Sequence, residues 1–273
     1  MRKLFVAFAL ALTPLTGMTA GGPAVELESA NIDLNNHESI QRGAKYVVNY
    51  CMGCHSTQYV RYKQMTKVGL TEDEIEDNLM FADDKKVGDL MTIAMPEQDS
   101  AKWFGAAPPD LTLTARIKPG GADWIYTYMK GFYTDPSRPL GVNNTVFANV
   151  GMPHVLWDLQ GIQDPVYRFE VREDGHTVEA FDTEAEAVAF IDQQGNPNYQ
   201  LERVVDRLEL VQPGKLTPAE YDQVARDIAT YLTYLSEPVK MERQRIGVWV
   251  MLFLVVFTVL AYLMKKEWWK DVH

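Results

Sequence analysis

Residues 50–56 read Tyr50-Cys51-Met52-Gly53-Cys54-His55-Ser56, and Cys51 and Cys54 are the two cysteines of the chain. Two thiols three positions apart, followed at once by histidine, make the C-x-x-C-H spacing of covalent c-type haem attachment. The spacing has a chemical reason. Each thiol reaches one haem vinyl group as a thioether, and the adjacent histidine is carried beneath the iron. Three other readings compete. A dithiol redox pair expects a βαβ setting, which residues 40–70 do not offer. A zinc half-site needs further ligands, and His37, His154, His176 and His273 are scattered. A chance match of five residues is the third. Both cysteines of an exported chain falling inside one motif favours a single covalent haem c.

The segment before the motif supports this. Asn35-Asn36-His37-Glu38 offers a helix start, with Glu38 three places after a capping Asn35. Ile40, Ala44, Val47, Val48 and Cys51 then recur at helical spacing. A helix therefore delivers the cysteines from its C-terminal end, with its apolar stripe towards a core.

A methionine opposite the histidine raises the iron's potential and suits electron transfer, whereas an open position suits oxygen or peroxide chemistry. The methionines available after the motif are Met65, Met80, Met91, Met95, Met129 and Met152. Met95 and Met152 each precede a proline. Met152 is preferred, because Gly151 permits close backbone approach and Pro153 stiffens the loop. Pattern alone leaves Met95 open, and His154 stands behind both as a route to bis-histidine ligation.

The two ends of the chain set its compartment. Residues 1–24 carry a basic start, nine apolar residues from Leu4 to Leu12, and breakers at Pro14 and Gly17, the pattern of a secretory signal peptide. Residues 246–264 contain no charge and no proline, and 19 residues at ~1.5 Å each reach about 28 Å, a bilayer span. Trp249, Tyr262, Trp268 and Trp269 lie near its ends, where aromatic rings favour the headgroup region. Basic residues flank both sides, so the signal decides orientation: an exported body, residues 25–240, and an inner tail, 265–273. With 47% hydrophobic and 23% charged residues, the body has ordinary globular composition. A net charge of −11 argues against nucleic acid as a partner. Two cysteines exclude a disulfide framework.

Three further stretches have a legible pattern. Residues 71–84 hold seven acids and no base, read either as a solvated surface loop or as a docking field for a basic partner. Residues 164–212 read as a small α+β insertion. Tyr167, Phe169 and Val171 alternate, as do Val178 and Ala180 across an Asp174-Gly175 turn. A Thr183–Glu186 capping box follows, then a strand near Val204–Val211. Thr217-Pro218-Ala219-Glu220 opens a helix whose face is Tyr221, Val224, Ala225, Ile228, Tyr231, Leu232 and Leu235.

In order and content the chain resembles the cytochrome c1 family, the haem subunits of bc1 complexes. The resemblance rests on Arg42-Gly43, Tyr46-Val47, the C-x-x-C-H motif, Ala107-Pro108-Pro109-Asp110-Leu111, Ala115-Arg116, Gly120-Gly121-Ala122-Asp123, Gly131-Phe132-Tyr133, Val150-Gly151-Met152-Pro153, Ser236-Glu237-Pro238 and the C-terminal anchor. It covers roughly residues 30–163 and 214–273. It implies that Cys51 and Cys54 bind the haem covalently, that His55 is the proximal ligand and Met152 the distal one. It also implies that Arg116 lies near a propionate and that Pro108 and Pro109 pack near the haem edge. The family's aromatic position shortly after Asp123 has two claimants, Trp124 and Tyr126. The two cysteines that some relatives join as a disulfide are absent.

The expectation is a mainly α, cytochrome c-like haem domain with a small α+β insertion and one C-terminal transmembrane helix. The resemblance implies an electron carrier without a catalytic site of its own, within a dimeric complex in a bacterial inner membrane, its haem domain in the periplasm. Cytochrome b and the Rieske iron–sulfur protein would be its neighbours and cytochrome c its acceptor. The alternatives are an independent tethered cytochrome or oxidase haem subunit, a haem peroxidase with an open iron site, and a dithiol redox protein.

Overall fold

The computed structural model describes residues 25–82 and 84–271; the expected signal segment, residues 1–24, lies outside them, as do Asp83 and residues 272–273. Two helices organise the rest. The first, α1, spans His37–Tyr46 and continues as a wider π-helical turn through Val47–Cys51. Asn36, not Asn35, caps it: the Asn36 side chain accepts from the Ser39 amide, so the cap sits one residue later than the spacing suggested and Glu38 has no capping role. The expected stripe of Ile40, Ala44, Val47, Val48 and Cys51 is buried in full.

Short elements follow: strand β1 (Thr57–Arg61), a 3-10 turn (Tyr62–Val68), α2 (Glu72–Leu79), β2 (Leu90–Met91), α3 (Glu97–Phe104), α4 (Thr114–Ile117), α5 (Ala122–Lys130), and the antiparallel pair β3 (Phe132–Thr134) and β4 (Val142–Asn144). The acidic run is a helix rather than a loop. Thr71 and Glu74 close a reciprocal capping box, and three acids in the first turn suit the positive end of the helix dipole. Ile75 and Leu79 are buried, and the acids face outward.

The long helix α8, Pro218–Ser236, begins as its sequence predicts, with Thr217 capping, Glu220 completing the box and Pro218 in the first turn. It crosses α1 at Gly43. A Cβ on Gly43 would stand 2.1 Å from the Asp227 carbonyl oxygen and 2.6 Å from the Tyr231 Cβ, so only glycine lets the two backbones meet. The Asp227 carboxylate is 1% exposed and fully engaged at the crossing. It accepts from Ser39 Oγ (2.6 Å), Arg42 Nε (2.7 Å) and Gln223 Nε2 (2.8 Å). A buried charge persists only when paired in this way.

The segment 161–213 folds as a three-stranded antiparallel sheet in the order β6-β5-β7, with β5 at Gly161–Glu173, β6 at His176–Phe181 and β7 at Gln200–Pro213. The long strands therefore start before and end after the expected 164–212, and β7 is longer than the predicted strand. Asp174 and Gly175 make the two-residue hairpin turn, both with positive φ. Helix α7 (Glu184–Gln194) is capped by Thr183 accepting from the Glu186 amide. The Thr183–Glu186 box is half formed, because Thr183 Oγ1 donates to the Glu186 carboxylate at 2.7 Å, where the full box would use the Thr183 amide. Val178 and Ala180 are exposed, because β6 is an uncovered edge strand. The sheet's buried charge is Glu170, held by Arg168, Arg172 and Thr177.

After a short helix α6 (Trp157–Gln160) at the start of that sheet and α8 at its end, the chain leaves through α9, Lys240–Trp268. Among the described residues it is the one helix long and apolar enough to cross a membrane. It contains the expected span 246–264, and its apolar side chains are exposed along the whole length.

Two outcomes test this architecture. Gly43→Ala should cost about 3 kcal/mol of stability by forcing the helices apart, read by thermal denaturation. Glu170→Gln should cost about 1–3 kcal/mol near neutral pH. Burial alone would raise the Glu170 pKa, but Arg172, Thr177 and Arg168 outweigh it and hold the carboxyl below its ordinary value of 4.5. Its contribution is therefore complete above pH 4.5 and disappears as pH falls through the lowered value. The difference between Glu170→Gln and the native chain should shrink in that acid range.

Candidate haem-attachment site

The end of α1 closes on one carbonyl. Cys54 N and His55 N both donate to the Cys51 oxygen, at 3.0 and 2.8 Å, and Met52 N reaches back to Val47 O at 3.0 Å. The motif is thus a helical turn, and residues three apart on such a turn share a face. That arrangement presents both thiols to one planar ligand. Cys51 is buried and Cys54 half-buried, and both are free thiols. Burial, with the neighbouring Cys54, pushes the Cys51 thiol up to about 12. A dithiol exchange centre needs the opposite shift, so this environment disfavours that chemistry.

His55 is 8% exposed. Its Nδ1 lies 2.7 Å from the Pro109 carbonyl oxygen. A carbonyl can only accept, so Nδ1 carries the proton and Nε2 keeps its lone pair free. Burial also lowers the His55 pKa, with Pro109 and Asp110 opposing. The imidazole is therefore neutral, oriented and ready to ligate through Nε2, with the outer partner that metal-bound histidines ordinarily have.

Residues 107–111 are sewn to the motif from both sides. Leu111 N donates to Ser56 O at 2.9 Å. The Asp110 carboxylate accepts from Gln58 N at 2.7 Å and from Thr112 N at 2.9 Å. Pro109 is placed by this clamp, and its role is more specific than packing: its carbonyl sets the histidine's tautomer. Pro108 is half-buried beside it. Arg116 lies on α4, exposed, and its guanidinium makes no ion pair or hydrogen bond among the described residues.

Met152 packs half-buried against the main core. Gly151 before it is tight: a Cβ there would stand 3.1 Å from the Phe104 carbonyl oxygen. The close approach is thus to the end of α3. Tyr128 Oη donates to Met152 Sδ at 3.4 Å. Tyr128 is stacked on Trp124 (centroids 4.8 Å apart) and meets Phe132 edge-on at 5.2 Å. Phe132 in turn stacks on His154 at 4.9 Å. Met95, the rival methionine, is half-buried on the loop before α3, and Met65 and Met91 are fully buried in the core.

Among the described residues, neither claimant for the family's aromatic position hydrogen-bonds Met152. Trp124 supports Tyr128 from behind, with Lys118 over its outer face at 4.6 Å. Tyr126 faces the other way, towards Lys130 and Arg226. Tyr128, which the sequence reading did not single out, makes the contact. The available signal was the four-residue spacing of Trp124 and Tyr128, which puts two aromatic rings on one side of α5.

The donor set fits a covalent c-type haem. It offers two thiols on one turn, a neutral histidine fixed through its far nitrogen, and thioethers able to serve as a soft second ligand. Among the described residues no group of three or more His, Cys, Asp or Glu side chains could hold a metal ion by itself.

Comparison with known proteins matches residues 29–272 to the Cytochrome C1 family. Cytochrome c1 of Allochromatium vinosum is 48% identical over 274 residues, covering both chains completely. A Nitrosomonas europaea protein named ammonia monooxygenase gamma subunit is 38% identical over 98% of each chain. The mitochondrial cytochrome c1 haem protein of Kluyveromyces lactis is 25% identical over 87% of this chain and 72% of its own.

The Asp110 clamp is directly testable. Asp110→Ala removes both acceptors and should cost about 1–3 kcal/mol. The loss should appear as a lower unfolding temperature and as easier displacement of His55 by added imidazole.

Proposed function

The chain belongs to the cytochrome c1 family, and from that premise we propose how its residues carry out the family's work. It is the c-type cytochrome subunit of a bc1 complex, carries haem c covalently and is anchored in the membrane. We infer that Cys51 and Cys54 would hold the haem as thioethers, and that His55 Nε2 and Met152 Sδ would ligate its iron. Arg116 would serve a propionate, with Pro108 and Pro109 at the haem edge. The observation that carries this reading is the buried His55, its Nδ1–H committed to Pro109 inside the C-x-x-C-H turn.

When bound, the haem supplies a one-electron Fe(III)/Fe(II) couple. The residues around it make and break no bonds in turnover. The clamp at residues 107–111 keeps His55 in one tautomer, the core around Cys51 excludes water, and the Gly151–Met152 loop is braced by Phe104 and Tyr128. Fixed donors in a low-dielectric shell suit a group that changes charge by one without moving.

In the proposed assembly, electrons arrive from a Rieske iron–sulfur protein and leave to a cytochrome c, with cytochrome b alongside and the complex dimeric. The signal-like residues 1–24 and the C-terminal position of α9 support a periplasmic haem domain, residues 25–240, with residues 265–273 on the cytoplasmic side. A full-length likeness to cytochrome c1 disfavours an independent tethered cytochrome.

The first test is a quinol-reduced-minus-oxidised spectrum of the tagged protein, purified from its own membranes in mild detergent. Bands of b-type and c-type haem should appear together, with the c-type haem reduced by quinol. A c-type band alone, unresponsive to quinol, would overturn the assignment. Met152→Leu should lower the c-haem potential by more than a tenfold change in the one-electron equilibrium, about 59 mV per tenfold. An unchanged potential would exclude Met152 as the ligand.

A further inference from the structure

We propose that Tyr128 is a positioning residue for electron transfer: its hydroxyl holds the Met152 sulfur by a hydrogen bond and keeps the iron's potential high. The inference rests on the reading of Met152 as the distal ligand.

Tyr128 is 7% exposed, and Met152 Sδ, at 3.4 Å, is the hydroxyl's one hydrogen-bond partner among the described residues. A buried hydroxyl without a partner is costly, so this contact is retained even though a thioether is a weak acceptor. A phenol is protonated throughout the physiological range, so Tyr128 is always the donor. The ring cannot swing away. Trp124 covers one side at 4.8 Å with the planes 12° apart, and Phe132 blocks the edge. Its backbone is pinned as well, since Asn144 Nδ2 donates to the Tyr128 carbonyl at 2.8 Å.

The electronic consequence follows from the sulfur's two lone pairs. One would face the metal, and the other meets the Tyr128 proton. A donor on the second pair withdraws electron density and weakens the sulfur's donation to Fe(III) more than to Fe(II). The reduced state is thereby favoured. The geometry also limits the directions from which sulfur can approach the iron.

The same fold contains an internal control. Tyr231 Oη points at Met91 Sδ, 3.7 Å away, deep in the core under the α1–α8 crossing. It is the same pair of chemical groups at a methionine to which no ligand role is assigned.

The experiment uses the intact complex purified from membranes, with redox titration of the c-type haem and its sulfur-to-iron charge-transfer band as readouts. Tyr128→Phe should retain the band and move the one-electron equilibrium roughly three- to tenfold towards the oxidised form, the size of one net hydrogen bond. That is about 30–60 mV downward. Replacing Tyr128 with 3-fluorotyrosine keeps the shape, strengthens the donor and should shift the potential upward. It also serves as the test if removal of the hydroxyl blocks assembly. Tyr231→Phe should leave the potential unchanged.

Three results would overturn the proposal: no shift in either Tyr128 variant, an equal shift in Tyr231→Phe, or loss of the band in Tyr128→Phe, which would make the residue a structural support only. Met152→Leu run in parallel separates the two levels. If it abolishes the band while Tyr128→Phe changes nothing, only this inference fails. If it leaves band and potential unchanged, the ligand reading fails, and this inference with it.

Discussion

The Asp227 carbonyl of α8 occupies the space where a side chain at position 43 would stand. Glycine at that point lets α1 and α8 cross in backbone contact, and the polar groups around the crossing convert proximity into register. Ser39, Arg42 and Gln223 all converge on the buried Asp227 carboxylate. With α1 locked against α8, its C-terminal end is locked too, and Cys51 follows two turns later. The wider turn at Val47–Cys51 keeps Val47, Val48 and Cys51 facing inward where the helix ends. The position of the attachment motif is thus a consequence of how closely two helices can approach.

Around that fixed end, the site is assembled from segments distant in the chain. Pro109 reaches His55, Leu111 reaches Ser56, and Met152 meets Tyr128 from α5. Helix α5 is itself held down by the N-terminal stretch and by α8. Glu28 N donates to Thr127 Oγ1, Ala30 N donates to Asp123 Oδ1, and Lys130 pairs with Glu28 and Asp222. Each contact removes a degree of freedom from the helix that carries Tyr128 to Met152. A site that only exchanges an electron gains from such rigidity, because ligands that stay in place in both oxidation states need little rearrangement.

The insertion and the anchor stand outside this machinery. The β6-β5-β7 sheet has its own small aromatic cluster, Phe181, Phe190 and Tyr199, and its own buried ion-pair network at Glu170. Helix α9 adds no buried side chain to the core, and its first turn is tied back to the end of α8 by the Arg243–Glu237 pair. The acids of α2 face outward on a helix packed against the 3-10 turn and α1 by Ile75 and Leu79. Three features with different surroundings are thereby attached to one scaffold without disturbing the attachment turn.

Local chemistry was legible in the linear chain wherever neighbours in sequence are neighbours in space. The C-x-x-C-H turn, the α8 capping box at Thr217–Glu220, the Asp174-Gly175 hairpin and the uncharged run at 246–264 each depend on contacts within a few residues. The cap at Asn36 and the helix at 72–79 are less legible locally, because two adjacent asparagines can both cap and a run of acids hides two buried apolar positions. What the chain could not announce was any contact closed over a long loop. The tautomer of His55 depends on a carbonyl 54 residues away, and the hydroxyl at Met152 comes from 24 residues upstream. The family resemblance drew attention to Trp124 and Tyr126, whereas the residue of α5 that hydrogen-bonds the Met152 sulfur is Tyr128. Sequence patterns encode which residues can share a face, whereas tertiary packing alone decides what that face meets.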